Sequence, residues 1–354
     1  MEFSPTRTPY DPTHLTFFQI DGETRNFRSA EPAALADAKL ALVLLGTGAG
    51  QSFNPGRTGM SALLVVDGVP YLVDAGWGAA RRIQQSGINP LEIRAGFVTH
   101  MHADHIADLW NMFLWKLHSS APEHQIQIFG PGEAGFWEAP KQELPVVGES
   151  RIGVKQYFEY AQLAYGADLN NTAGEFGNLT TPVPNSIVGV DIAPVAGADP
   201  DHPAPAMDPM PIYEDERVRV SAQLVAHGPV YPAYGFRFET AYGSVAFSGD
   251  TSVHENVDRL AQGADVLVHE AIDVEYYKAQ GVSEAGIKHH LETHTRPADV
   301  GALAQRTKVG RVVLAHLGPG SSEAVSDETW RAKVAEQYSG PIHVGNDLQV
   351  LALA

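Results

Sequence analysis

The chain is 354 residues long, enough to bury a substantial core as one large domain or two. Its 24 basic against 42 acidic side chains leave a formal charge of −18, which predicts no nucleic-acid partner and no membrane partner. The absence of cysteine excludes disulfides, thiolate metal sites, iron–sulfur clusters and a cysteine nucleophile.

Hydrophobic residues make up 44% of the chain, with no apolar run near the length of a bilayer span, so it reads as a soluble globular protein. Residues 1–38 read as an extended arm with a short polar helix near Pro32 to Lys39. They lack the charged start and apolar centre of a signal peptide. The compartment stays open between cytoplasm and, after removal of a leader, periplasm or exterior. Residues 39–354 then form the main domain. Leu40 to Leu45 is a buried strand closed by Gly46-Thr47-Gly48-Ala49-Gly50. A phosphate loop fails there on context, because Asn54-Pro55-Gly56 follows where a dinucleotide fold begins a helix; a tight turn fits. Ser61 to Val66 and Val69 to Val73 flank the hairpin signal Asp67-Gly68. A helix over Gly78 to Ser86, a strand over Ile93 to Val98, an amphipathic helix over Ile106 to His118 and a strand over Ile126 to Phe129 follow.

From about 133 to 214 the regularity fades into an irregular insertion, dense in Pro, Gly and Ala and carrying Phe136, Trp137, Tyr157, Phe158, Tyr160, Tyr165 and Phe176. It reads as a surface insertion, a wall for substrate or a subunit contact. Beyond it, strands over Val218 to Ala226, Ser244 to Ser248, Val266 to Val268, Val312 to Ala315 and within Pro341 to Leu353 alternate with helices over 255–262, 275–281, 297–307 and 327–338.

Thr99-His100-Met101-His102-Ala103-Asp104-His105 organises the whole. Neutral imidazoles and carboxylates are the donors zinc and similar divalent ions take. Four such groups crowd one metal, but a turn aims His100 and His102 one way and Asp104 and His105 the other. His100, His227, Asp250, His269 and His316 each sit at or just past the end of a β-type run. In layered α/β folds those ends share one edge, where ligands bind.

With these residues the chain resembles the metallo-β-lactamase-fold hydrolases, over about residues 40–133 and 215–353. The motifs are VDAG with Asp74, THMHADH, His227, SGDT with Asp250, and LAHLGP with His316. The resemblance implies an αββα sandwich of two mixed β-sheets flanked by helices. It also implies two Zn2+ per chain, with Mn2+ or Fe as alternatives. His100, His102 and His227 would hold the first metal; Asp104, His105 and His316 the second. Asp250 would bridge them, and Asp74 would orient a ligand imidazole. Asp104 counts as a catalytic side chain as well as a ligand.

The setting of His227, the lack of cysteine and Ala103 in place of a glutamate point away from glyoxalase II, true β-lactamases and flavodiiron proteins. The chain is similar instead to the ribonuclease Z and zinc arylsulfatase branch. It shares that branch's Gly130-Pro131-Gly132 turn, the run His269-Glu270-Ala271 and the pair His294-Thr295. In that branch the glutamate holds a histidine that protonates the leaving oxygen, a role that falls on Glu270 and His294, with His289 and His290 reading as an exposed helix end. Only 22 residues separate His227 from Asp250, which leaves no room for the branch's basic tRNA-gripping arm. The expected substrate is therefore a small anionic ester, an aryl sulfate or phosphodiester with an apolar part held by the aromatic insertion. The alternatives are a β-lactam, lactone or other carbonyl substrate on the same dizinc site and, less favoured, a non-catalytic metal scaffold. The resemblance further implies a homodimer.

Overall fold

The computed structural model describes residues 19–20, 23–24, 38–50, 56–117, 122–134, 152–176, 186–321 and 323–354. The expected helix near Pro32, together with Asn54, Pro55, Phe136 and Trp137, lies outside them. A two-stranded ribbon, β1 (Gln19–Ile20) and β2 (Glu23–Thr24), precedes the main body.

Two seven-stranded sheets carry the fold. The first contains β3 (Leu40–Gly46), β4 (Ser61–Val66), β5 (Val69–Ala75), β6 (Ala95–Phe97), β7 (Ile126–Pro131), β8 (Ile187–Ile192) and β16 (Gln349–Ala352), in the order β16-β3-β4-β5-β6-β7-β8. The second contains β9 (Met210–Glu214), β10 (Val218–Leu224), β11 (Tyr234–Thr240), β12 (Gly243–Phe247), β13 (Val266–Ile272), β14 (Val312–Gly318) and β15 (Ile342–Val344), in the order β15-β14-β13-β12-β11-β10-β9. Each sheet is mixed: β5 to β8 and β12 to β15 run parallel, and the rest pair antiparallel.

The near-continuous apolar runs have a physical reason. Successive side chains of a strand face opposite ways, and here both faces are covered. Leu40, Leu42 and Leu44 enter the core between the sheets, where Phe97 packs on Phe129, Phe236 and Phe238. Their neighbours Ala41, Val43 and Leu45 face outward, into a layer with Ile83, Trp110 and Phe113. The second sheet is covered in the same way by the helices Glu255–Ala261, Pro297–Thr307 and Asp327–Ala335, through Leu260, Leu303 and Trp330. Helix, sheet, sheet, helix is the expected order of layers.

Three local expectations need correction. The helix over Ile106 to His118 is two pieces, Ala103–Ile106 and Asn111–Leu117, because the Asp108 amide donates to Ala75 O (3.0 Å) instead of back along the helix; His118 is outside the described residues. The helix Glu284–Thr293, capped by Ser283, and strand β11 go beyond the elements expected. The 133–214 segment is also more regular than its composition suggests. Its described part carries helices Val154–Ala164 and Gly166–Phe176 and the edge strands β8 and β9.

Candidate metal centre

β6 delivers the histidine loop. After Phe97 the Val98 amide still pairs with Phe129 O (2.7 Å), and the chain then turns so that His102 caps the short helix Ala103–Ile106. The exit of β5 passes directly beneath. A Cβ on Gly76 would meet Asp104 O at 1.9 Å, so only glycine permits that approach. Asp74, at φ 56°, turns its carboxylate to the loop and accepts from Thr99 N (2.8 Å), Thr99 Oγ1 (2.9 Å) and His105 Nδ1 (2.9 Å).

The seven predicted ligands converge. His102 Nδ1 lies 3.0 Å from His100 Nε2 and 3.4 Å from His227 Nε2. Asp104 Oδ2 is 3.2 Å from His316 Nε2 and 3.8 Å from His105 Nε2. Between the two trios stands Asp250 Oδ2, at 3.1 Å from His316, 3.4 Å from His105, and 3.8 Å from both His100 and His227. All but the half-buried His102 are buried.

The chemistry of the donor set fits divalent cations. His227 Nδ1 donates to Thr293 O (2.8 Å), and His105 Nδ1 donates to Asp74. Thr99 donates its hydroxyl to Asp74, so it accepts from His100 Nδ1 (3.1 Å). His100 and His227 therefore each present an unprotonated Nε2 to the interior, lone pair against lone pair and carboxylate. His105 Nε2 and Asp250 Oδ1 have no hydrogen-bond partner although buried. Buried acceptors facing one another without protons are costly unless a cation sits among them.

The electrostatics of the two trios differ. Burial and neighbouring imidazoles push His100 well down; burial also lowers His102, and it takes His227 to about 4. Burial also pulls on His105, but Asp250, Asp74 and Asp104 outweigh it and raise its pKa. Asp104 and Asp250, pushed up by burial, are held low by the facing histidines His105 and His316.

Beside the cluster stands His294. Its Nδ1 donates to Glu270 Oε1 (3.1 Å), which also accepts from the Thr251 and Thr295 amides at 3.1 Å each. Nε2 is left free on a ring 5.2 Å from that of His227 and stacked at 5.7 Å on that of His316. Burial lowers the His294 pKa, but the charge and hydrogen bond of Glu270 raise it to about 9.

Some expectations fail here. His269 does not join the ligands; it alternates with Glu270 along β13 and bonds its own chain at Glu270 O (2.7 Å). Tyr157, Phe158 and Tyr165 do not line the site: Phe158 and Tyr165 pack around Trp110, Tyr157 packs on Phe158, and the Tyr157 hydroxyl donates to Ile106 O (3.3 Å), so they belong to an outer core. His289 is exposed, as expected of a helix end, whereas His290 is half-buried against Tyr277. Sequence reasoning missed Thr99, Gly50 and Thr293, the groups that hold the ligands. Thr99 adjoins the histidine motif, but Thr293 acts through its carbonyl, which no residue type announces.

A family model described as "Metallo-beta-lactamase superfamily" matches residues 55–279. A ribonuclease Z of Mycobacterium bovis is 30% identical over 315 residues, covering 87% of this chain and 96% of the relative. Among solved structures, the short form of human tRNase Z superposes with a TM-score of 0.59 at 20% identity (89% of this chain, 99% of that one). The metallo-β-lactamase-fold protein YhfI of Bacillus subtilis gives 0.58 at 16% (88% and 99%). These two show the shared fold. Relatives named ribonucleases conflict with the expectation of no nucleic-acid partner: net charge describes a whole surface, whereas a substrate strand meets one edge of it. Among the described residues no helix is long and apolar enough to cross a membrane. The chain belongs to the metallo-β-lactamase superfamily of metal-dependent hydrolases, in its ribonuclease Z-like branch.

Proposed function

We propose that this chain hydrolyses phosphodiesters at a pair of divalent cations, zinc in the first place. Members of the superfamily hold a dinuclear metal site, and the two trios joined by Asp250 fit one. His100, His102 and His227 are assigned to one ion, Asp104, His105 and His316 to the other, and Asp250 to both. A bound metal pair supplies Lewis-acid polarisation of the ester and of the attacking water.

The observation that carries the reading is the pair His294–Glu270. Hydrolysis of a diester with an alkoxide leaving group, as in RNA, needs a proton for the departing oxygen, and His294 is a fixed imidazole whose pKa a buried carboxylate raises to about 9. Nδ1 is committed to Glu270, so Nε2 is the atom that gives up the proton. The name of the 30%-identical relative, a ribonuclease, favours the phosphodiester reading over the aryl sulfate. The His227–Asp250 span is taken up by β11, β12 and their connections, without a gripping arm, so the substrate is a short diester or a short RNA strand.

The test is a substrate panel with zinc-loaded protein. Bis(p-nitrophenyl) phosphate and a short oligoribonucleotide should be cleaved, and p-nitrophenyl sulfate should not. His294→Ala should lower kcat on the oligoribonucleotide by about 10²–10⁴-fold, and much less on the nitrophenyl diester, with zinc per chain unchanged. Inertness towards both diesters, with turnover of lactone or β-lactam substrates, would overturn the reading in favour of carbonyl chemistry.

A further inference from the structure

We infer that Asp347, far from the ligands in sequence, is a positioning residue for one half of the metal centre only, the half formed by Asp104, His105 and His316. The inference rests on the two-metal reading above.

Asp347 lies between β15 and β16, and its side chain collects five donors. Oδ1 accepts from Thr47 N (3.0 Å) and Thr47 Oγ1 (2.8 Å). Oδ2 accepts from Thr58 N (2.8 Å), Thr58 Oγ1 (2.9 Å) and Arg82 Nη2 (3.2 Å). Buried Arg57 reinforces the clasp, donating from Nη1 to Thr47 Oγ1 (2.6 Å) and to Gly345 O. One carboxylate thus fastens both ends of the chain between Thr47 and Thr58, and Gly48 N closes it on Thr58 O (2.8 Å).

That fastened segment reaches the site at two points. Gly50 N donates to Asp104 Oδ2 (2.8 Å), the oxygen that faces His316. Leu317 exchanges backbone bonds with it, Leu317 N to Thr47 O (2.9 Å) and Ala49 N to Leu317 O (3.2 Å). His316 precedes Leu317 at φ 49°, a left-handed conformation unusual for histidine, and its buried Nδ1 has no hydrogen-bond partner. No hydrogen bond at Nδ1 fixes the ring from behind, so its aim towards Asp104 and Asp250 leans on the backbone at Leu317, which is bonded to Thr47 and Ala49. His100 and His227 depend on Thr99 and on Thr293 O, and among the described residues neither of these is hydrogen-bonded to Thr47–Gly50 or to Thr58. The clasp serves one trio and bypasses the other.

The experiment titrates metal-free protein with zinc against a competing chelator, resolving two binding steps, and records the apo Tm. Asp347→Asn keeps the shape but sets an amide donor against donors. It should weaken one step by about 10–100-fold, the scale of an outer hydrogen-bond partner, and leave the other unchanged. The weakened step should be the one that His316→Ala abolishes. Thr58→Val, a milder break in the same clasp, should shift the same step in the same direction if the first variant folds poorly. Equal weakening of both steps, or a fall in Tm with both steps intact, would overturn the inference. A wild-type protein binding fewer than two zinc ions would sink the two-metal reading instead, which keeps the two failures apart.

Discussion

His227 and His316 flank the same carboxylate, Asp250, yet they are held in different ways. His227 has a carbonyl behind its far nitrogen, and His100 beside it has a threonine hydroxyl. His316 has no hydrogen-bond partner at its far nitrogen, and Asp104 is held by the amide of Gly50, from a segment pinned at a distance. The first trio is also poor in charge, with burial keeping its imidazoles neutral and ready to bind. The second contains its own carboxylate and a histidine raised by three of them. In the proposed centre, donor identity is therefore half of the site; the groups behind the donors would decide how firmly each half keeps an ion.

Asp74 is where this contrast breaks down, and its loss should give the largest effect on metal binding. It holds His105 directly and reaches His100 through Thr99, so it supports both trios. Asp74→Asn should weaken both zinc-binding steps, by about 10–100-fold each. Chelator competition checks it. A loss confined to one step would mean that Thr99 orients His100 without help from the carboxylate.

Glu270 sharpens the comparison from the catalytic side, since it touches neither trio. Glu270→Gln keeps an oxygen for the Thr251 and Thr295 amides but removes the charge that raises His294 to about 9. A general acid works while protonated, so activity falls as pH rises through its pKa. In the variant that alkaline limb should move towards the ordinary histidine value, about 6.5, while zinc content stays constant. The kcat–pH profile reads it directly. An unmoved limb would assign the proton to another group.

How much of this was legible in the sequence follows from what kind of group does each job. The converging donors were visible because histidine and aspartate at strand ends carry a chemistry that packing does not explain. The two sheets were visible because strands covered on both faces must be apolar throughout, as Leu40–Gly46 is. The clasp was not, because Asp347 and Thr47 lie 300 positions apart and are ordinary polar residues until the fold joins them. The 133–214 segment misled for the opposite reason. Its aromatics suggested a substrate wall, but Phe158 is a core residue of a helix and Tyr165, at that helix's end, packs half-buried on Trp110.

The smallest effect is expected away from the metals, where Asp215 ties the two sheets together. Its Oδ2 accepts from Tyr71 on β5 (2.7 Å) and Tyr213 on β9 (2.8 Å), while Oδ1 accepts from the Arg217 and Val218 amides. Burial pushes its pKa up, but these four donors outweigh that and lower it. Asp215→Ala leaves the buried Tyr71 hydroxyl unpaired, which should cost roughly 1–3 kcal/mol, read as a lower denaturation midpoint at neutral pH. Both zinc-binding steps should be untouched, since Asp215 contacts no ligand or ligand-holding group. The pH dependence has a definite sign. A carboxylate with a lowered folded pKa contributes fully above its unfolded value, about 3.9, and loses that contribution as pH falls through the folded value. The gap between wild type and variant should therefore narrow in acid below that range. A gap that stays constant down to pH 3 would show that the tyrosines bond the protonated acid as well as the carboxylate, and that the tie between the sheets does not depend on charge.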